Sequence, residues 1–288
     1  MKKDKKILNT KLIATLPIFL GILTLMSSCD IFFKKELRQD QKLAYYRHRV
    51  YVINDSIKSN AERIKAYKSL VAQASEDKHL ITVRKKNMLL SEIYTSISAE
   101  YYDTFRADDA IESCNLAIML NVENKEAYFN RGCLYELIGN DSLAIDNYTK
   151  ALEVNGNFAD AYYNRGMIYE GNTDFQLAIE DYSQAIKLNP PYITDIYNNR
   201  GNTYQQMKFY DKAINDYTIA IEMDSMKAMT YFNRANAYLQ KGMQEDALTD
   251  YQKVLQIDPH NLLVIDKIKN IKKETQARKE MTFLGELN

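Results

Sequence analysis

The chain has 288 residues, and its 38 Lys and Arg are matched by 38 Asp and Glu. A net charge of zero gives no electrostatic case for nucleic acid or for a bulk acidic partner. Nine glycines, three cysteines and three well-separated histidines (His48, His79, His260) leave no phosphate-cradling loop, paired-cysteine site or metal-ligand spacing.

In chain order, Lys2, Lys3, Lys5, Lys6 and Lys11 give a positive opening, and Leu12–Met26 is an uncharged apolar run. That run is shorter than the roughly 20 residues a membrane span needs and suits a secretory signal core. Ser27-Ser28-Cys29 follows it. The segment resembles a bacterial lipoprotein signal, in which small residues precede a cysteine that is acylated and becomes the new N-terminus. Leu25 stands one place early and Ser28 replaces the usual Gly or Ala, so the fit departs from the strictest form. The resemblance implies a signal peptide over 1–28, lipidation at Cys29 and a lipid-anchored tether over 29–42. It places the protein in a bacterial cell envelope, with the outer membrane read ahead of the inner. An ordinary signal peptide cut nearby, or an uncleaved anchor, is the alternative.

Residues 43–90 read as an N-terminal helical region. Leu43–Ile57 and Ala61–Ala74 have helical periodicity, and Ser75–Asn87 reads as an irregular link. Ala66 and Leu70 fit the first columns of a repeat's second helix, but the third column falls on Gln73. A helical cap is therefore preferred to a degenerate sixth repeat. Arg47, His48 and Arg49 read as a solvated face.

From residue 91 onward the chain repeats itself. Ala127–Gly132 (AYFNRG) returns at Ala161–Gly166, Ile196–Gly201 and Thr230–Ala235, with the small residue at Gly132, Gly166, Gly201 and Ala235. Tyr135, Tyr169, Tyr204 and Tyr238 follow in one column, Ala144, Ala178, Ala213 and Ala247 in another, and Tyr148, Tyr182, Tyr217 and Tyr251 in a third. Tyr94, Ser98, Tyr101, Ala110 and Cys114 fit the same frame one period earlier, Cys114 reading as a small buried hydrophobe. The columns resemble the tetratricopeptide repeat, with Tyr128, Tyr162, Tyr197 and Tyr231 where that family usually has tryptophan. Five repeats are assigned over 91–261: 91–124, 125–158, 159–193, 194–227 and 228–261. The resemblance implies an all-α superhelix, a TPR solenoid of helix-turn-helix pairs, closed at 262–288 by a capping helix and a frayed tail.

Small residues in these columns let two helices approach closely while an aromatic fills the space beside them, and each pair leaves a flank that only the next pair covers. Arg131, Arg165, Arg200 and Arg234 point partly inward. Asp181 is expected to pair with Arg200, and Asp216 with Arg234, across adjacent repeats. In the closing helix Leu262–Glu280, Val264, Ile265, Ile268 and Ile271 form the apolar stripe, with lysines on the other sides.

No catalytic constellation and no cofactor motif is present in the sequence, so function is expected on the face lined by the first helices. The resemblance implies that this groove grips another protein or peptide. One column holds Phe129, Tyr163, Asn198 and Phe232, and the next Asn130, Asn164, Asn199 and Asn233. Beyond them lie Met167, Asn202 and Asn236 beside Cys133, then Glu136 and Glu170, with Glu126 and Asp160 at the mouth. Asparagines can bond an extended backbone in both directions. Some can instead satisfy neighbouring helices. Acids without groove lysines or arginines favour a neutral or basic segment. These readings give a membrane-anchored protein-interaction scaffold or assembly factor. The competing class is a small-molecule or glycan carrier using the tyrosine-rich face.

Overall fold

The computed structural model describes residues 39–78 and 83–285. The Leu12–Met26 run, Cys29 and His79 lie outside the described residues. Thirteen helices account for nearly all of what is described. They divide into two units between Val122 and Glu123.

The first unit contains α1 (Gln39–Ser56), α2 (Asn60–Glu76), α3 (Val83–Asp103) and α4 (Ala107–Leu120). Helix α3 starts at Val83, inside the stretch the sequence suggested was an irregular link. Its first turns are short of apolar residues, but Leu89, Leu90 and Ile93 follow at once and are buried. Helix α2 buries Ile64, Tyr67, Leu70 and Ala74, while Gln73 is exposed. Asp77 ties the start of the unit together, accepting from Lys42 Nζ at 2.9 Å and from Tyr46 Oη at 3.0 Å. Arg47, His48 and Arg49 are exposed, as expected of a solvated face, and Arg47 pairs there with Glu92.

The second unit runs through α5 (Lys125–Leu137), α6 (Asp141–Val154), α7 (Ala159–Gly171), α8 (Phe175–Lys187), α9 (Ile193–Gln206), α10 (Tyr210–Met223), α11 (Ala228–Gln240), α12 (Gln244–Ile257) and α13 (Leu262–Gly285). Helices pack as sequential pairs, and the second helix of each pair packs on the first of the next. This is a TPR-like solenoid. At each crossing a tyrosine ring lies where a side chain would otherwise stand: a Cβ on Gly132 or Gly201 would come within 2.7 Å of the Tyr148 or Tyr217 ring. Tyr148, Tyr182, Tyr217 and Tyr251 are fully buried beside Ala144, Ala178, Ala213 and Ala247.

The turn inside each pair is as regular as the crossing. Gly139, Thr173, Lys208 and Gly242 all take a left-handed backbone, with φ of 76°, 64°, 62° and 77°. The next residue donates back to the tyrosine that precedes the turn: Asn140 to Tyr135 at 2.7 Å, Asp174 to Tyr169 and Phe209 to Tyr204 at 2.8 Å, Met243 to Tyr238 at 2.9 Å. This ends the first helix with its last carbonyls satisfied.

Closing helix α13 packs through Val264, Ile268 and Ile271, and Thr275 Oγ1 reaches Gln244 at 3.2 Å. Ile265 was expected on that stripe and is exposed, because it lies about 100° round the helix from Val264. The helix continues to Gly285, past the Glu280 expected from sequence.

Candidate functional site

The first helices of the second unit, α5, α7, α9 and α11, carry the predicted columns. Two contacts were not visible from sequence: residues just ahead of a first helix reach back over the preceding one. Phe158 meets Phe129 with ring centroids 5.0 Å apart, and Tyr192 meets Tyr163 at 5.4 Å. Lys227, from the same place in the next repeat, pairs with Asp195. Only a contact across one period reveals this column. Its sequence signal is an aromatic immediately ahead of the first helix in two successive repeats.

Behind these rings sit the core tyrosines. Phe129 lies 5.6 Å from Tyr148, Tyr163 6.0 Å from Tyr182 and Phe232 5.9 Å from Tyr251. Asn198 breaks the aromatic row and accepts from Asn233 Nδ2 at 3.3 Å. Lys267 of the closing helix stands 5.6 Å from the Phe232 ring. The expectation that lysines of α13 would sit away from the stack therefore fails at Lys267, which lies one turn after Val264 on the packed side.

The asparagine column serves neighbouring repeats first. Asn164 Nδ2 donates to Tyr148 Oη at 3.3 Å, Asn199 Nδ2 to Tyr163 Oη at 3.0 Å, and Asn233 Nδ2 to Asn202 Oδ1 at 3.0 Å. Asn130 is half-buried in the same column. In the third column Asn202 and Asn236 accept from the core hydroxyls of Tyr217 and Tyr251 at 2.8 and 2.7 Å. Met167 packs against the Tyr182 cluster, and Cys133 is a half-buried free thiol 3.3 Å from Tyr148 Oη.

The acids are less available than the sequence suggested. Glu136 and Glu170 each accept a tyrosine hydroxyl, from Tyr148 and Tyr182, at 2.7 Å. Burial pushes the Glu170 carboxyl up, and the hydrogen bonds from Tyr182 and Thr203 offset this only in part. Burial likewise raises the core phenols, Tyr251 to about 12. Asp160 accepts from Tyr192, whereas Glu126 is exposed beside Lys125 at 3.7 Å. Acidic groups therefore gather on α5 and α7, whereas α9 and α11 carry amides, with Asp195 of α9 neutralised by Lys227 and Lys267 of α13 beside Phe232.

The ion pairs expected between repeats are corrected. Arg165 clamps Asp181, Arg200 clamps Asp216 and Arg234 clamps Asp250, each through two bonds of 2.7 to 2.8 Å within its own repeat. The reason is the crossing: the arginine precedes the small residue and the aspartate precedes the core tyrosine, so contact of one pair brings the other together. The third donor does cross the boundary, from Arg165 to Thr149 at 2.8 Å, Arg200 to Ser183 at 2.9 Å and Arg234 to Thr218 at 2.9 Å. Arg131 makes the neutral version, donating to Asn147 Oδ1 at 2.7 Å. Burial lowers the arginines' basicity, but their aspartates more than restore it.

Residues 125–158, 159–192, 194–225 and 228–261 match family profiles described as tetratricopeptide repeat. These four segments, just under half of the chain, are similar to tetratricopeptide repeats. A crystal structure of MamA is 27% identical, with a TM-score of 0.55 over 59% of this chain and 92% of that one. YrrB, described as a TPR protein with an unusual peptide-binding site, is 20% identical with a TM-score of 0.60, over 72% of this chain and 99% of that one. The C-terminal part of a TPR protein from Cytophaga hutchinsonii is 21% identical with a TM-score of 0.58, over 75% and 78%. No curated protein sequence matches the chain.

Proposed function

We propose that the second unit binds an extended protein segment along α5, α7, α9 and α11. One observation carries the reading. Asn164, Asn199 and Asn233 each direct an amide N–H to the preceding repeat, while their Oδ1 atoms accept nothing among the described residues. A regular row of acceptors beside half-buried rings suits backbone N–H groups and apolar side chains of a bound strand. Glu126, Glu136, Asp160 and Glu170 favour a neutral or basic segment at the α5–α7 end. Peptides selected by display against the full chain should be neutral or basic, and should lose at least tenfold affinity on Asn164→Ala with Asn199→Ala. Enrichment of acidic peptides, or affinity unchanged in a folded double variant, would reject the site.

The finer role is a scaffold or assembly factor held in a bacterial envelope by lipid on Cys29, at the outer membrane. The N-terminal sequence supports this: a basic start, a short apolar run and Ser27-Ser28-Cys29. Two or more acyl chains, at about 0.8 kcal/mol per buried methylene, hold a protein on a bilayer. Mass spectrometry of the mature N-terminus tests it. An acylated Cys29, and release from membranes on Cys29→Ser, are expected, whereas an unmodified Cys29 removes the tether.

A further inference from the structure

The arginine slot of the second unit recurs in the first unit without its arginine. Arg165, Arg200 and Arg234 each lie between two tyrosines of their own helix, the guanidinium carbon 5.4 to 5.8 Å from both ring centroids. One or more periods earlier the flanking rings persist as Tyr94 and Tyr101, but the arginine column holds Ile97 and the aspartate column Ser113. Ile97 is buried, and the Ser113 hydroxyl turns back to the Asp109 carbonyl at 2.8 Å. Where the filled slots receive a Thr or Ser hydroxyl from the preceding helix, α2 supplies Val71 and Ala72. An open cleft of about 350 Å³ remains between α2, α3 and α4, rimmed by Lys68, Asp109 and Glu112.

We propose that this cleft receives an arginine side chain presented by a partner protein. The chain itself seats arginine in the equivalent place three times with both rings engaged. Tyr101 still draws cations: Lys68 Nζ stands 5.6 Å from its centroid although Lys68 is an exposed residue, and the Arg106 guanidinium stands at 4.6 Å. Arg106 is bonded to Asp109 at 2.8 Å, so the rim carboxylate that meets an incoming guanidinium is Glu112. A planar guanidinium can lie flat between two rings and still bond a carboxylate at its edge; a compact ammonium cannot do both. Lys68 is the group that an entering arginine displaces. This site is independent of the peptide-binding face proposed above.

The test uses the full chain with labelled tyrosine rings, followed by NMR during titration with acetyl-Gly-Arg-Gly-amide and its Lys and Leu counterparts. The arginine peptide should shift Tyr94 and Tyr101 and bind at least fivefold more tightly than either counterpart. Lys68→Gln should tighten it at least twofold by removing the competitor, and Glu112→Gln should weaken it at least threefold. Ile97→Arg with Ser113→Asp should refill the slot from within and abolish binding. Should that double variant fail to fold, the two single variants decide. Equal or tighter binding of the leucine peptide makes the cleft an apolar pocket and overturns the proposal. So does the absence of ring shifts with the arginine peptide, or single variants that leave its affinity unchanged.

Discussion

Arg200 and Asp216 offer the sharpest energetic test of how the repeats are held. Asp216 has only 2% of its side chain exposed and Arg200 17%, and two bonds of 2.7 and 2.8 Å join them. Removing the arginine leaves a carboxylate in an apolar crossing, a loss of about 3–5 kcal/mol. Arg200→Leu should therefore destabilise by that amount, whereas Arg200→Leu with Asp216→Leu should recover a large part of it. Asp216→Asn copies the Arg131–Asn147 contact and keeps a neutral acceptor, so its loss should be smaller, about 1–2 kcal/mol. The assay is urea unfolding of all single and paired variants, with the denaturant slope checked, because repeat arrays can lose cooperativity. The double-mutant cycle for Arg200 and Asp216 should give coupling of at least about 2 kcal/mol, and the cycle for Arg200 and Asp181 much less. Additive behaviour in the first cycle, or stronger coupling in the second, would refute the intra-repeat staple.

Thr173 is β-branched and holds a φ of 64° in a column where Gly139 and Gly242 also stand, so Thr173→Gly should raise stability by about 0.5–1 kcal/mol in thermal unfolding. A Cβ on Gly201 would meet the Tyr217 ring at 2.7 Å, yet Ala235 occupies the same column beside buried Tyr251. Gly201→Ala should thus lower stability modestly and Gly201→Leu by about 1–3 kcal/mol or more, read from the same melts. Burial raises the Glu170 carboxyl, so its ionisation opposes folding once pH climbs above the ordinary carboxylate range. Gln205 already accepts from Tyr217 at 3.1 Å in that column. Glu170→Gln should accordingly stabilise at pH 7 and lose the advantage as pH falls toward 4, a trend that unfolding at both pH values checks.

Most of the fold was legible because each packing requirement is written several times over. Gly132, Gly166 and Gly201 recur against Tyr148, Tyr182 and Tyr217, and no single-copy sequence would make that crossing visible. The arginine–aspartate register was misread because spacing along the chain does not say which helix face meets which. The i and i+16 partners meet only once the hairpin is closed. The site was half legible. The asparagine and aromatic columns lie on the expected helices, but the ties from Asn164 to Tyr148 and from Glu170 to Tyr182 depend on three-dimensional depth. Phe158 and Tyr192 were missed because they lie ahead of the helices that carry the pattern. In the first unit α2 lacks the full alanine–tyrosine–alanine stripe, so periodicity gave only the partial register of Ala66 and Leu70 there.

The central claim is that a protein segment lies along the first helices of the second unit. Site-specific photo-crosslinking in the native host tests it, with the photoreactive residue at Met229, which is 65% exposed at the mouth of that face, or at Leu177, 44% exposed on second helix α8. Adducts to a discrete polypeptide are expected from Met229, weakened by Asn164→Ala with Asn199→Ala, and none from Leu177. Adducts that form equally at both positions, or that persist unchanged in the folded double variant, would contradict the account.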